Sequence, residues 1–210
     1  MSDARSAMTP DLLAALAPGF GDPVHDTQTV FRTLLDALAR PGTIGVIQTR
    51  LPAAKVCAAR AGLAAFAALL TLADYATPVW LAQPDAALAA ALRFHAGAPL
   101  AEAPREAAFA YVHEAAALPP LDAFASGTPE SPEQSATVFV RVDALSGGAP
   151  RSLRGPGIET TRSIAPVGLP ERFWRERAVL APHFPCGIDF YLVCGASLIG
   201  LPRTTLVEMN

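Results

Sequence analysis

The chain has 210 residues, 51% of them hydrophobic, with a mean hydropathy of +0.32. That exceeds what a disordered chain carries and is enough to build a sizeable core, and one domain over residues 1–210 is the expected organisation. A net charge of −3 gives no basic surface for nucleic acid, and the longest uncharged apolar stretch, residues 61–73, falls short of the roughly 20 residues a membrane span requires.

Residues 1–10 carry Asp3 and Arg5 without an apolar segment, so no secretion signal is expected, and residues 1–22 read as a poorly ordered N-terminal arm. Asp26 is positioned to cap a helix whose Val30, Leu34, Leu35 and Leu38 share a face and which Pro41-Gly42 stops. A short β-branched strand follows at 43–48. An alanine-rich helix covers about 58–73, a short apolar strand 78–82, and a second helix about 85–94.

Strands are expected at 109–112 and 137–142, separated by a short helix near 118–124 and a Gly/Pro/Ser loop at 126–132. Further strand-like pieces occur at 151–154 and 160–164, then a helix at 171–180 and a long buried strand at 188–194. Helices and strands alternate early and strands cluster late, the pattern of an α/β domain with a mixed sheet.

Several motifs favour ordinary structural readings. Gly147-Gly148 and Gly155-Pro156-Gly157 lack the Lys-Ser/Thr of a phosphate-binding loop and read as tight turns. Gly195-x-Ser197-x-x-Gly200 places its second glycine one residue too late for a nucleophile elbow, and a hairpin of 188–194 with 197–201 fits better. His183, Cys186 and Cys194 have no second Cys/His pair, so no metal site is expected. Three cysteines, Cys57 included, read as reduced thiols of a cytoplasmic protein.

Two clusters remain open between structural and functional readings. Arg93-Phe94-His95 ends a helix, where cations favour the macrodipole, yet the same side chains could meet an anionic ligand or a partner carboxylate. Arg203-Thr204-Thr205 follows Pro202 and either braces a corner or presents donors to a phosphate or carboxylate. On the second reading, Arg203→Ala is expected to preserve folding. The candidate anion or partner contacts are therefore Arg93, His95, Arg203 and Thr204.

Read together, the ordered blocks Phe31-Arg32-x-Leu34-Leu35, Arg40-Pro41-Gly42, Leu69-Leu70-Thr71-Leu72-Ala73-Asp74, Thr77-Pro78-Val79-Trp80-Leu81 and Leu92-Arg93-Phe94-His95 resemble one family. Ala98-Pro99-Leu100, Ser126-Gly127-Thr128, Ser146-Gly147-Gly148, Gly155-Pro156-Gly157-Ile158, Phe184-Pro185-x-Gly187-Ile188-Asp189 and Pro202-Arg203-Thr204-Thr205-x-Val207-Glu208 continue the match to Glu208. The chain resembles the PhnH family, the H subunit of the bacterial carbon–phosphorus lyase core complex. The resemblance implies a three-layer α/β/α subunit with a mixed sheet, similar to pyridoxal-phosphate-dependent transferases but without their cofactor. It further implies a homodimer assembled with the G, I and J subunits. Such a subunit, inactive alone, would act with its partners in forming ribose 1-phosphonate 5-triphosphate from ATP and an alkylphosphonate.

The residues agree with that division of labour. Three scattered cysteines cannot build an iron–sulfur site. A pyridoxal enzyme needs a Schiff-base lysine, and Lys55, the chain's one lysine, lies outside every matched block and reads as a surface residue. Two rival readings stay open: a purely structural scaffold or dimerisation module of that complex, and an autonomous pyridoxal-phosphate transferase.

Overall fold

The computed structural model describes residues 16, 18–49, 51 and 61–208. Lys55, Cys57, most of the expected N-terminal arm and the first turn of the helix expected from 58 lie outside the described residues.

Helix α1, Pro23–Ala39, is started by Asp22, whose carboxylate accepts from the His25 N–H, with Pro23 in the first turn. Asp26 returns the favour by accepting the Asp22 N–H at 3.0 Å. The cap is thus four residues earlier than the sequence suggests, and Asp26 is the reciprocal partner in a capping-box arrangement. Val30, Leu34 and Ala37 are buried, whereas Leu35, expected on the same face, is 56% exposed, because one residue beyond Leu34 turns it about 100° away. Pro41 and Gly42, at φ +80°, end the helix.

The main sheet has six strands: β1 (Ile44–Val46), β2 (Val79–Leu81), β3 (Phe109–Val112), β4 (Thr137–Arg141), β7 (Asp189–Cys194) and β8 (Ser197–Leu201). Their order is β1-β8-β7-β4-β3-β2. The four strands β2, β3, β4 and β7 run parallel, β8 adds antiparallel to β7, and β1 adds antiparallel to β8. The expected hairpin of β7 with β8 is present and turns at Gly195, φ +59°. A second, three-stranded sheet joins β5 (Arg151–Arg154), β6 (Arg162–Ile164) and β9 (Leu206–Glu208) in the order β6-β5-β9.

Alternation along the strands divides the core in two. Tyr111, Phe139, Tyr191 and Val193 face α1, α2 (Gly62–Leu72) and α3 (Ala86–Ala91). Ala110, Val138, Val140, Phe190 and Leu192 face α4 (Glu171–Leu180) and the small sheet. The protein is therefore an α/β fold with helices on both faces of a mixed sheet. α2 is alanine-rich where it is buried, which lets its backbone approach closely, and its Ala64 N–H donates to Gly195 O at 2.8 Å. α1 sits closest to the sheet at Gly200, where an added Cβ would lie 2.4 Å from Ala37 O.

Candidate functional site

Arg203 sits in the turn between β8 and β9, closed by Thr205 N–H donating to Pro202 O at 2.9 Å. Its guanidinium reaches the amino ends of β4 and β7. Nη1 donates to Pro132 O at 2.8 Å and Pro185 O at 3.3 Å, and Nη2 donates to Asp189 Oδ2 at 2.7 Å and to Ser135 Oγ. Nε bridges both Asp189 oxygens at 3.3 Å, and the Arg203 backbone N–H adds 2.7 Å to Oδ1. All five guanidinium donors are engaged within the chain. Gly187 makes room for this, since a Cβ there would lie 2.9 Å from the Arg203 Cβ. Thr204 is half-buried beside Gly155. The corner-bracing arrangement is present, and any contact Arg203 makes with a ligand or partner adds to bonds it already holds.

Behind this corner, buried Arg177 of α4 donates to the carbonyls of Leu201, Pro202 and Thr205 at 3.0–3.3 Å and lies 5.3 Å from the Phe190 ring centroid. Burial pulls its pKa down to about 10, opposed by the charge of Asp189. The sequence offered no signal for this residue, because an arginine on an amphipathic helix reads as solvated.

Arg93, Phe94 and His95 occupy a π-turn, Leu92–Ala96, that continues α3 and ends at Gly97 in the left-handed region, φ +67°. All three are exposed, and the Phe94 and His95 rings meet edge to face at 5.0 Å. Tyr75, 84% exposed, stands next to Gly97. This turn continues α3 and packs against α2, whereas the Arg203 corner lies at the amino end of β7. The structure does not bring the two expected clusters together.

A third polar group lies at the carboxyl ends of β3 and β4, where open α/β sheets hold their ligands. A cavity of about 250 Å³ is lined by His113, Glu114, Arg141, Asp143 and Gly168 among others. Tyr111 Oη and His113 Nδ1 are 3.1 Å apart, and Gln83 Oε1 accepts the His113 N–H at 2.9 Å. Arg141 Nη1 donates to His113 O at 3.3 Å. Arg141 is the one charged residue of the strand expected at 137–142. Its neighbours come from three separate segments, so no local spacing announced them. Among the described residues no group of three or more His, Cys, Asp or Glu is arranged to hold a metal, and no helix is long and apolar enough to cross a membrane.

A family model described as "Bacterial phosphonate metabolism protein (PhnH)" matches residues 18–208. A relative from Rhizobium meliloti (strain 1021), alpha-D-ribose 1-methylphosphonate 5-triphosphate synthase subunit PhnH, is 44% identical over 191 residues, covering 90% of this chain and 94% of the relative. HtxG of Stutzerimonas stutzeri, a C-P lyase subunit protein by name, is 38% identical over 84 residues, covering 40% of this chain and 43% of the relative. A family match over residues 18–208 and 44% identity across 90% of the chain place this chain in the PhnH family of bacterial phosphonate-metabolism proteins.

Proposed function

We propose that this chain is a non-autonomous subunit of a carbon–phosphorus lyase core complex. It acts with partner subunits in forming ribose 1-phosphonate 5-triphosphate from ATP and an alkylphosphonate. The observation that carries this reading is 44% identity across 90% of the chain to a protein named as a subunit of such a synthase. The partners we propose are a second copy of this chain and the G, I and J subunits, in the cytoplasm. The layering of helices on both faces of a mixed sheet supports the further likeness to pyridoxal-phosphate-dependent transferases. Lys55 is the sole lysine, and an internal-aldimine absorbance band on adding pyridoxal phosphate would favour the autonomous transferase instead.

Arg93 and His95 are proposed as partner or anion contacts, because they are exposed on a firmly terminated turn beside Tyr75 and Phe94. Arg203 and Thr204 are proposed to hold the β8–β9 corner against which a partner can dock. The engagement of every Arg203 donor within the chain favours the second reading, a purely structural scaffold.

The test is a tagged pull-down after co-expression with the other gene products of its operon, followed by native mass spectrometry. A stoichiometric assembly with two copies of this chain supports the subunit reading. Recovery of the free chain alone, or turnover of ATP and phosphonate by the chain alone, overturns it. Activity of the assembly with Arg93→Ala and His95→Ala separates contributor from scaffold.

A further inference from the structure

We propose that the cavity at the carboxyl ends of β3 and β4 binds a small zwitterion, with its oxyanion on Arg141 and its ammonium group on Asp143. Arg141 ends β4 and Asp143 follows two residues later at a bend, and both line this cavity. The backbone beyond β4 is held by Asp143 N–H donating to Val167 O at 2.9 Å and Val142 N–H donating to Val193 O at 2.9 Å.

The charges are opposite, close and not joined. Arg141 forms no ion pair with Asp143 or Glu114, and among the described residues its polar side-chain partner is the carbonyl of His113. That one bond fixes the half-buried guanidinium and leaves four of its five N–H donors without a described partner. No described side chain donates to the Asp143 carboxylate, which packs over Gly168, where an added Cβ would lie 2.7 Å from Oδ2. A cation and a carboxylate facing one cavity without neutralising each other match a ligand that carries both signs. A plain anion would meet Asp143 as repulsion, and a plain amine would meet Arg141. A volume of about 250 Å³ suits a molecule of a few heavy atoms.

The shared chemistry is an ammonium group two or three bonds from an oxyanion, and either an aminoalkylphosphonate or an amino acid supplies it. Only the choice of a phosphonate as the first probe rests on the subunit reading. Isothermal titration of the full chain, and of the co-expressed assembly, would use 2-aminoethylphosphonate and β-alanine, with methylphosphonate and ethylamine as single-charge controls. The expected result is binding of a zwitterion, with both controls weaker by at least about tenfold, the loss of one charge-assisted hydrogen bond. Tighter binding of 2-aminoethylphosphonate than of β-alanine identifies the phosphonate source, and the reverse identifies the amino acid. Asp143→Asn and Arg141→Gln should each weaken the zwitterion by a similar factor. Asp143 is exposed, so its variant decides the matter even where Arg141→Gln does not fold. Equal affinity for methylphosphonate and 2-aminoethylphosphonate, unchanged affinity in Asp143→Asn, or no heat with either preparation overturns the site. An assembly that forms but binds neither zwitterion rejects the site while leaving the subunit reading intact; a chain that binds a zwitterion but assembles with nothing does the opposite.

Discussion

Arg203 and Asp189 clamp the amino end of β7 to the β8–β9 turn through three contacts between the guanidinium and the two carboxylate oxygens, at 2.7–3.3 Å. Each side chain is 17% exposed, so both charges are largely out of water and depend on each other. Truncating one leaves the other buried with its partner gone. Arg203→Ala is therefore expected to cost about 3 kcal/mol, the range for breaking a buried pair. For a chain this long that lowers the melting temperature by roughly 10 °C. Arg203→Lys should recover little, since an ammonium cannot span Asp189, Ser135 and the two prolyl carbonyls at once. Thermal unfolding followed by circular dichroism checks both. A melting temperature unchanged in Arg203→Ala would return this residue to the anion-contact reading, on which folding is preserved.

The contact between Gly200 and Ala37 predicts a steric failure. Gly200 is on β8, and a Cβ there would sit 2.4 Å from Ala37 O, 2.6 Å from its carbonyl carbon and 2.9 Å from Leu38 N. These are helix backbone atoms, which cannot rotate away as a side chain would. Gly200→Ala must lift α1 from the sheet, at a cost of about 3 kcal/mol by overpacking. Gly195→Ala is a control in open space, carrying only the strain of its φ of +59°. Urea denaturation of the two variants should order them Gly200→Ala well below Gly195→Ala. The reverse order would mean that α1 does not approach β8 this closely.

Much of this architecture could be read from the chain because it is encoded locally. The continuous apolar runs of β4 and β7, the Gly195 turn and the helix from Glu171 each carry their signal within a few residues. β9 was missed because Leu206-Val207-Glu208 is too short to show a period, and it is a strand only through pairing with β5. The other two strands of the small sheet lie where strand-like pieces are expected, but β9 joins β5 from more than fifty residues away, so the sheet has no local signal. At the candidate sites the limit is the same. Arg203 stood out through its proline and threonine neighbours, but its acceptors Pro132, Ser135, Pro185 and Asp189 come from distant segments. Arg141 and Asp143 gave no motif at all, since their meaning depends on what β3 and the turn at Gly168 bring to them.

Tyr191 makes stability depend on alkaline pH. Its hydroxyl donates to Leu34 O at 2.9 Å, tying β7 to α1, and its ring stacks on Phe139 at 4.9 Å with planes 10° apart. Burial, with the Asp189 charge adding to it, holds the phenol pKa well above 10. The unfolded chain therefore releases this proton first as pH rises above about 10, and the folded chain binds more protons than the unfolded one. The stability contributed is complete below pH 10 and falls as pH climbs toward the folded value. Tyr191→Phe should lose about 1 kcal/mol at neutral pH, the net worth of one hydrogen bond, and should show a shallower decline above pH 10. Denaturation midpoints between pH 8 and 11 provide the comparison. Parallel slopes for the two proteins would show that Tyr191 titrates as an exposed phenol.

The exposed turn at Phe94 separates folding from assembly. Phe94 is 53% exposed and Tyr75 is 84% exposed, while Leu92 beneath them is fully buried and carries the packing. A large aromatic pair on the surface beside Arg93 is the composition of an interface anchor rather than of a core. Phe94→Asp should leave the isolated chain within about 0.5 kcal/mol of its original stability, as surface changes do. In the co-expression pull-down the same variant should reduce recovery of partner subunits by about tenfold or more, the effect of losing a hot-spot aromatic. Leu92→Ala gives the contrasting signature, since removing a buried leucine costs about 3 kcal/mol in the chain itself. Full partner recovery with Phe94→Asp would move the docking surface elsewhere, and the exposed Phe31 and Leu35 of α1 would be the next pair to change.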